Sequence, residues 1–251
     1  MSGHSKWHNI RLRKGKQDAQ RSKLFTKMAR EIIVAAKDGG GNPDTNLRLK
    51  LAIQKARSLS MPADNIKRAI QRGTGESGES ANFEEIIYEG YGDAGVAVLV
   101  SCLTDNRNRT VAELRNIFTK NGGNLGESGC VGWMFDTKGL VQIPAENSDE
   151  ETVMMATMDA GAEDIKADDD TIEVYCDPGD IQKIREALTQ AGIEFTSAEM
   201  TRIPRTTVRI ADTKEAARIL RLMDALEDND DVQQAYANFD ISDEIIQEVA
   251  G

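Results

Sequence analysis

The 251-residue chain has the composition of a globular protein with more than one domain. Hydrophobic residues make up 39% of it and charged residues 29%, a balance typical of globular proteins, and the length favours two or three compact units. No stretch reaches the roughly 18 apolar residues that a membrane span needs. The three cysteines, Cys102, Cys130 and Cys176, are scattered and odd in number, which argues against a disulfide framework and favours a reducing, cytoplasmic location.

The net charge of −11 hides an opposition between the two parts of the chain. Residues 1–76 contain 17 Lys and Arg against 6 Asp and Glu, whereas residues 77–251 contain 14 against 36. Such asymmetry favours a polyanionic partner for the basic part. An ordinary solvated imbalance is the alternative interpretation.

The basic part is predicted to be an arm followed by three helices. Residues 1–22 show neither helical nor strand periodicity, which is typical of an extended basic arm. Apolar periodicity and terminal glycine and proline residues then predict three helices, over about residues 23–38, 44–59 and 62–72. Helices this short, joined by tight connections, favour a three-helix bundle. The polar, glycine-rich residues 73–82 predict a linker after it.

Beyond the linker the periodicity changes to that of strands. Strands alternate with helices, with strands expected near residues 83–88, 96–103, 131–135, 207–210 and 232–239 and helices near 109–120 and 212–227. Between them, residues 139–203 read β-α-β-β-α-β, the order of a ferredoxin-like unit. Ser148 and Glu151 have the spacing of a capping box at the start of its first helix.

The element order therefore predicts an α+β fold of three domains. An N-terminal three-helix bundle is joined to two α/β, ferredoxin-like domains, the third inserted within the second. The predicted segments are a basic arm at 1–22, the bundle at 23–76, an α/β domain made of 82–133 and 206–240, and the inserted domain at 134–205.

The residue types that catalysis needs are poorly placed. The two histidines, His4 and His8, lie in the arm, and a zinc site needs three or four ligands. The sequence GTGESG at 73–78 matches a dinucleotide-binding pattern, but it follows a helix and leads into a linker, so we interpret it as a hinge. No P-loop or hydrolase motif occurs. We expect no enzymatic activity, no cofactor and no metal.

The arm has the residues that a phosphate backbone attracts. Its bases are spaced along the segment and would release counterions on binding; they are Lys6, Arg11, Arg13, Lys14, Lys16 and Arg21. Trp7 lies among them and has two open interpretations, because it can stack on an unpaired base or pack on the protein's own core.

The predicted helices continue this basic surface. One face of the first helix is almost free of acids, which favours nucleic-acid binding; its bases are Lys23, Lys27, Arg30 and Lys37. The second helix has two rows, Arg48 with Lys55 and Lys50 with Arg57, and the third adds Lys67, Arg68 and Arg72. Arg107 and Arg109 stand at a later helix N-terminus, where anions bind well, although an N-cap turn built from Asn and Asp explains this loop equally well.

Several motifs together resemble the YebC/PmpR family, and they extend over essentially the whole chain. They are GHSKW at 3–7, FTKMAREI at 25–32, MPADNI at 61–66, AIQRGTGE at 69–76, YEGYG at 88–92, LTDNRNRT at 103–110, KNGGNLGESG at 120–129, FDTKG at 135–139 and YANFDI at 236–241. No single motif is decisive, but all of them in this order are highly specific.

The resemblance implies a cytoplasmic bacterial protein of three domains that brings no catalytic residues and no cofactor. Family members are described as DNA-binding transcriptional regulators, which is the function we expect. The alternative is a ribosome-associated translation factor that binds ribosomal RNA and relieves stalling, for example at consecutive prolines. An acidic adaptor that recruits basic proteins through residues 77–251 is a third possibility. We expect no membrane partner and a monomer.

Overall fold

The computed structural model describes residues 17–76, 82–168 and 170–250. The helices are α1 (Gln17–Gly39), α2 (Leu47–Ser58), α3 (Ala63–Gly73), α4 (Arg107–Lys120), α5 (Glu150–Thr157), α6 (Ile181–Gln190), α7 (Thr213–Glu227) and α8 (Asp243–Ala250). The strands are β1 (Glu84–Tyr91), β2 (Ala97–Thr104), β3 (Asn124–Leu125), β4 (Phe135–Pro144), β5 (Ala162–Ala167), β6 (Thr171–Cys176), β7 (Ser197–Pro204), β8 (Val208–Ile210), β9 (Val232–Ala237) and β10 (Phe239–Ile241). The predicted α+β class, with helices followed by α/β units, is confirmed.

The first three helices pack around one apolar core. Its members share full or nearly full burial and include Met28, Ile32, Ile33, Leu49, Ile53 and Ile66. Asn46 ties the turn between α1 and α2, because its side chain accepts a hydrogen bond from the Leu49 N–H (3.0 Å) and donates to the carbonyls of Ala35 (2.7 Å) and Gly40 (2.8 Å). This is the N-cap that an asparagine provides, and it sets the angle at which α2 returns along α1.

The first sheet has the strand order β3-β1-β2-β9, and its described pairs are antiparallel. Helices α4 and α7 cover one face of it, where Val98 and Val100 of β2 meet Leu114, Phe118 and Ile219. The strand β9 thus returns to a sheet that the chain left more than a hundred residues earlier.

The second sheet has the order β5-β6-β4-β7 and is antiparallel. With α5 after β4 and α6 after β6, this is the arrangement of a ferredoxin-like unit. Val141 and Val174 of the sheet pack against Val153 of α5 and against Ile184 and Leu188 of α6. The unit lies in the chain between β3 and β8, as the predicted fold class requires. The exact domain boundaries, 134–205 within 82–133 and 206–240, stay a prediction.

Several predicted elements differ from the structure. Helix α1 already includes residues 17–22, which the sequence assigned to the arm. The strand expected at 131–135 is wrong: Gly132–Met134 is a 3-10 turn, and β4 begins at Phe135. The helix α5 is capped by Asp149, whose carboxylate accepts the Thr152 N–H at 2.9 Å, rather than by Ser148.

The strand predicted over 232–239 is two strands, interrupted at Asn238. The Asn238 side chain accepts the Ala97 N–H at 2.7 Å and donates to the Thr206 carbonyl at 3.2 Å. These bonds take the chain out of the first sheet, and β10 then pairs in parallel with β8. A buried asparagine that bonds to the backbone of two other segments is a tertiary feature, which strand periodicity cannot reveal.

Candidate nucleic-acid interface

The basic stripe of α1 consists of Lys23, Lys27, Arg30 and Lys37. Its first three bases contact the protein's own acidic turn, residues 227–231. The Lys23 ammonium lies 3.3 Å from the Asp228 carboxylate. Lys27 is buried, with 8% of its surface exposed, and donates to the Glu227 carbonyl at 2.7 Å. Arg30 donates to the Asp231 carboxylate at 2.8 Å and to the Asp230 carbonyl. The helical spacing that placed these bases on one face is therefore present, but the acidic turn engages that face.

Lys37, the fourth base of the predicted stripe, lies apart from the acidic turn. Its ammonium is 3.4 Å from the side-chain oxygen of Asn82, where the chain enters the first sheet. Arg30 also stacks on Phe83, with the guanidinium carbon 5.5 Å from the ring centroid. The stripe of α1 thus contacts the rest of the protein along its length.

Asp231 joins three elements at the end of the acidic turn. Its carboxylate accepts hydrogen bonds from Arg30 of α1, from Arg109 of α4 (3.0 Å) and from the Thr110 hydroxyl (2.7 Å). Burial raises its pKa, but the hydrogen bonds from Thr110 and Arg109 and the charges of Arg30 and Arg109 together hold it below its ordinary value. The carboxylate is therefore ionised and fully partnered at neutral pH.

Asp231 is not among the residues that the sequence predicted for the site. The one available signal was the composition of residues 227–231, where four of the five side chains are acidic. Their sign is opposite to that of the α1 stripe, but nothing in the sequence places two segments two hundred residues apart in contact.

One of the two basic rows of α2 is also engaged inside the protein. Arg48 pairs with Asp38 at 3.0 Å and with Glu85 at 3.1 Å. Lys55 forms an ion pair with Glu199 of β7. Both residues were predicted to bind nucleic acid, and both instead hold the bundle against the two sheets in this structure.

A second carboxylate, that of Glu31, interacts electrostatically with the Lys55 ammonium of the Lys55–Glu199 pair. Burial raises the pKa of Glu31, and the nearby positive charge of Lys55 offsets part of this rise. Burial lowers the pKa of Lys55, but the charges of Glu199 and Glu31 outweigh it and raise that pKa above its ordinary value. The ammonium thus stays charged between two carboxylates from different elements.

The other row of α2 and the outer face of α3 are open to solvent. Their bases are exposed, and within the described part of the chain they form no ion pair; they are Lys50, Arg57, Lys67, Arg68 and Arg72. Asp64 is the only acid in α2 and α3. The sequence predicts Lys67 and Arg68 as nucleic-acid-binding residues together with Arg48 and Lys55, and of these four only Lys67 and Arg68 are without an ion pair to the described residues.

Arg107 and Arg109 occupy the first turn of α4. Asn106 caps this helix by accepting the Arg109 N–H at 3.1 Å, so the alternative interpretation of an N-cap turn is confirmed for Asn106. The Arg109 guanidinium pairs with Asp105 (2.8 Å) and Asp231. Arg107 is more open, 66% exposed, with Glu84 at 3.9 Å.

The remaining predicted site residues fall in the arm. Lys6, Trp7, Arg11, Arg13, Lys14 and Lys16 lie outside the described residues. Arg21 lies in α1, and for residues 17–21 of that helix the structure describes the backbone alone. The proposed hinge at 73–78 is described as far as Glu76.

Two further findings concern sites of other kinds. Within residues 17–76, 82–168 and 170–250, no three His, Cys, Asp or Glu side chains are grouped so that they could hold a metal ion. No helix in these ranges is both long and apolar enough to cross a bilayer.

The fold and the basic bundle define a class of protein, an α+β protein with a basic, helical N-terminal domain. Residues 5–76 match the family described as TACO1/YebC protein N-terminal domain, and residues 83–239 match the TACO1/YebC second and third domain. The chain belongs to the TACO1/YebC family, which confirms the resemblance stated above.

Relatives and a solved structure agree with this assignment. A protein of Persephonella marina, named probable transcriptional regulatory protein, is 53% identical over the whole of both chains. One of Natranaerobius thermophilus with the same name is 54% identical over 98% of this chain and 99% of its own. The crystal structure of a conserved hypothetical protein from Aquifex aeolicus is 47% identical, with a TM-score of 0.85 over 92% of this chain and 94% of that one.

Proposed function

We propose that this protein is a DNA-binding transcriptional regulator that acts without catalysis and without a cofactor. The relatives named as probable transcriptional regulatory proteins support a regulatory role. The observation that carries the proposal is the set of exposed bases on α2 and α3, Lys50, Arg57, Lys67, Arg68 and Arg72, which form no ion pair within the described chain. They are the charges left available for a partner.

The chemistry of this surface suits the phosphate backbone. Each base that neutralises a phosphate releases counterions, so the binding constant falls steeply with salt. Contacts of this kind position a protein on DNA but do not read the base sequence. The arm contains six further Lys and Arg before residue 22, and these charges add to the electrostatic attraction between the protein and the phosphate backbone.

The test is equilibrium binding of the full-length chain to a DNA duplex across a salt series. The double variant Lys50→Glu/Arg57→Glu should lose at least tenfold in affinity, and its slope of log K against log salt should be shallower by about 2. The matched control is Lys214→Glu/Arg221→Glu, which reverses two exposed bases of α7. Equal affinity of the wild type and the α2 variant would overturn the proposal, as would equal losses in both variants.

A second candidate function is a translation factor that binds ribosomal RNA. The observation that favours it is the charge of residues 77–251, with 36 acids against 14 bases, which opposes close approach to a long, uniform duplex. A limited site on a ribosome tolerates a partner that presents only its basic end. Sedimentation of a cell lysate separates the two functions: co-migration with ribosomes supports the second, and co-migration with nucleoid DNA supports the first.

A further inference from the structure

Helix α4 is basic in a part of the chain that is otherwise acidic. Residues 77–251 contain 14 bases and 36 acids. Helix α4 alone contains four of those bases, Arg107, Arg109, Arg115 and Lys120, and a single acid, Glu113. This concentration of positive charge lies outside the bundle, where the overall composition gives no reason to expect it.

The outer face of α4 is free of acids along its length. Asn108, Ala112, Arg115 and Thr119 are spaced four, seven and eleven residues from the first, so they fall within about 60° of one another around the helix. All four are exposed. Leu114 and Phe118 lie on another face of the helix, which is buried in the core of the first sheet.

The charges on this helix are available to a partner to different degrees. Arg109 is held by two carboxylates, and Arg107 has Glu84 at 3.9 Å. Arg115 and Lys120 are exposed and form no ion pair with any residue of the described ranges. A helix face that is only solvated usually mixes both signs, whereas the face of Asn108, Ala112, Arg115 and Thr119 offers an amide, a guanidinium and a hydroxyl and no acid.

The position of α4 places this face next to the basic bundle. Arg109, in the first turn of α4, and Arg30 of α1 bind the same Asp231 carboxylate, at 3.0 Å and 2.8 Å. The helix therefore begins where the bundle docks on the first sheet. It spans 14 residues, or about 21 Å, which is long enough to contact several phosphates.

We propose that the outer face of α4 is a second contact surface for the DNA that the bundle binds; this inference rests on the proposed function. Arg115 of this face pairs with phosphates, and so does Lys120, which lies about 80° further round the helix than Ala112 and next to Glu113. Asn108 offers its amide to the backbone or to a base edge. The small side chain of Ala112 lets the DNA approach the helix closely. The interface thus extends from the bundle across the domain boundary onto the first sheet.

The first test compares the full-length wild type with Arg115→Ala/Lys120→Ala on the same DNA duplex. The variant should lose about tenfold in affinity, and its salt slope should fall by about 2, one for each lost phosphate contact. The matched control, Lys214→Ala/Arg221→Ala, removes the same charge from exposed sites on α7 and should retain wild-type binding.

The second test is site-specific crosslinking from the centre of the face. A benzophenone attached to Ala112→Cys should crosslink to bound DNA, while the same group on Ala211→Cys, another exposed alanine, should not. Equal crosslinking from both sites, or no crosslink from either, would contradict a contact at α4.

The outcomes separate this inference from the proposed function. If Lys50→Glu/Arg57→Glu loses DNA binding while Arg115→Ala/Lys120→Ala binds as its control does, the α4 surface is wrong and the bundle interface stands. If the wild type shows no salt-sensitive affinity for DNA, both fall. If the α4 variant loses affinity for an RNA hairpin but not for the duplex, the assignment of this face to DNA is wrong.

Discussion

Arg30 and Asp231, 201 positions apart in the chain, form an ion pair of 2.8 Å that is largely shielded from solvent. Only 16% of the Arg30 side chain and 4% of the Asp231 side chain are exposed. The pair joins the bundle to the first sheet, and Arg109, Thr110 and Thr104 also donate hydrogen bonds to the same carboxylate. Removal of Asp231 leaves the shielded Arg30 guanidinium without its carboxylate, and removal of Arg30 leaves the buried Asp231 with Arg109 as its one remaining described cation, so each single change is costly.

We therefore predict that Asp231→Ala lowers the free energy of unfolding by about 3 kcal/mol, the cost of breaking a buried pair from one side. Arg30→Ala should also destabilise the protein. The double variant should lose less than the sum of the two, with a coupling energy of about 2 kcal/mol. Urea unfolding of the four proteins, at constant ionic strength, measures this cycle.

The control cycle uses Lys23 and Asp228, a pair from the same helix and the same acidic turn. Here 41% and 52% of the side chains are exposed, and exposed pairs contribute below about 1 kcal/mol. Its coupling energy should therefore be small and should vanish in high salt. Similar coupling in both cycles would show that Asp231 is an ordinary surface partner.

A second prediction concerns Glu89, which organises the loop before β4. Its carboxylate accepts the N–H groups of Gly129 (2.7 Å), Val131 (2.6 Å) and Gly132 (2.6 Å). Burial raises the pKa of Glu89, but these three bonds outweigh it and lower that pKa. The substitution Glu89→Gln removes the negative charge that strengthens these three hydrogen bonds. It also replaces one accepting oxygen with an amide NH2 group, which cannot accept a hydrogen bond from the N–H donors that it faces.

Hydrogen exchange checks this prediction directly. In Glu89→Gln, the three amides should exchange at least about tenfold faster, because a hydrogen bond to a charged group contributes roughly 1.5–3 kcal/mol. The amides of β6, in the other sheet, should be unchanged. Glu85→Gln, an exposed position on the same strand, is the control, and faster exchange of the loop in that variant would contradict the role of Glu89.

Much of the fold could be predicted because local chemistry determines it. The helix predicted near residues 212–227 is α7, which ends at Glu227 and begins directly after the Asp212 that caps it. The errors arose where a tertiary contact decides the local structure. The Glu89 carboxylate holds Val131 and Gly132 in a turn, although their apolar neighbours have the pattern of a strand.

The candidate site was predicted less well than the fold, for a reason that Lys50 and Lys55 make clear. Both are lysines on α2, yet Lys50 is exposed and Lys55 pairs with Glu199 of a distant strand. Helical spacing gives the face of a side chain but not what stands opposite it. The same limit applies to Lys27, whose burial depends on the end of α7.

A third prediction follows from Glu173, which is fully buried in the second sheet. Tyr175 donates to its carboxylate at 2.5 Å and Gln142 at 3.3 Å, but burial dominates and raises its pKa. A carboxyl whose pKa is raised by folding stabilises the folded state when protonated, and that contribution is lost as pH rises through the folded pKa. The ionised form at neutral pH is thus unfavourable.

Glu173→Gln should therefore be more stable than the wild type at pH 7, because the amide keeps an oxygen for Tyr175 without a buried charge. The difference in unfolding free energy should shrink as the pH falls and reach its smallest value near pH 4, where the wild-type carboxyl is protonated. Urea unfolding at several pH values measures it. Glu194→Gln, at an exposed site, should show no such trend. A stability difference between Glu173→Gln and the wild type that grows towards low pH would show that folding lowers the pKa of Glu173 instead of raising it.

A final prediction links packing in the bundle to the proposed interface through Gly73, the last residue of α3. A Cβ at this position would lie 2.5 Å from the Ile33 carbonyl oxygen and 2.7 Å from the Ala36 Cβ, so α3 must move away from α1 to admit one. Gly73→Val should lower the melting temperature, since overpacking of this kind costs about 1–3 kcal/mol. It should also weaken DNA binding, because α3 carries Lys67 and Arg68.

The control is Thr74→Val, which places the same side chain at the next, exposed residue and should change neither the melting temperature nor DNA binding. Wild-type DNA affinity in a Gly73→Val protein with a lowered melting temperature would show that the position of α3 does not matter for the interface.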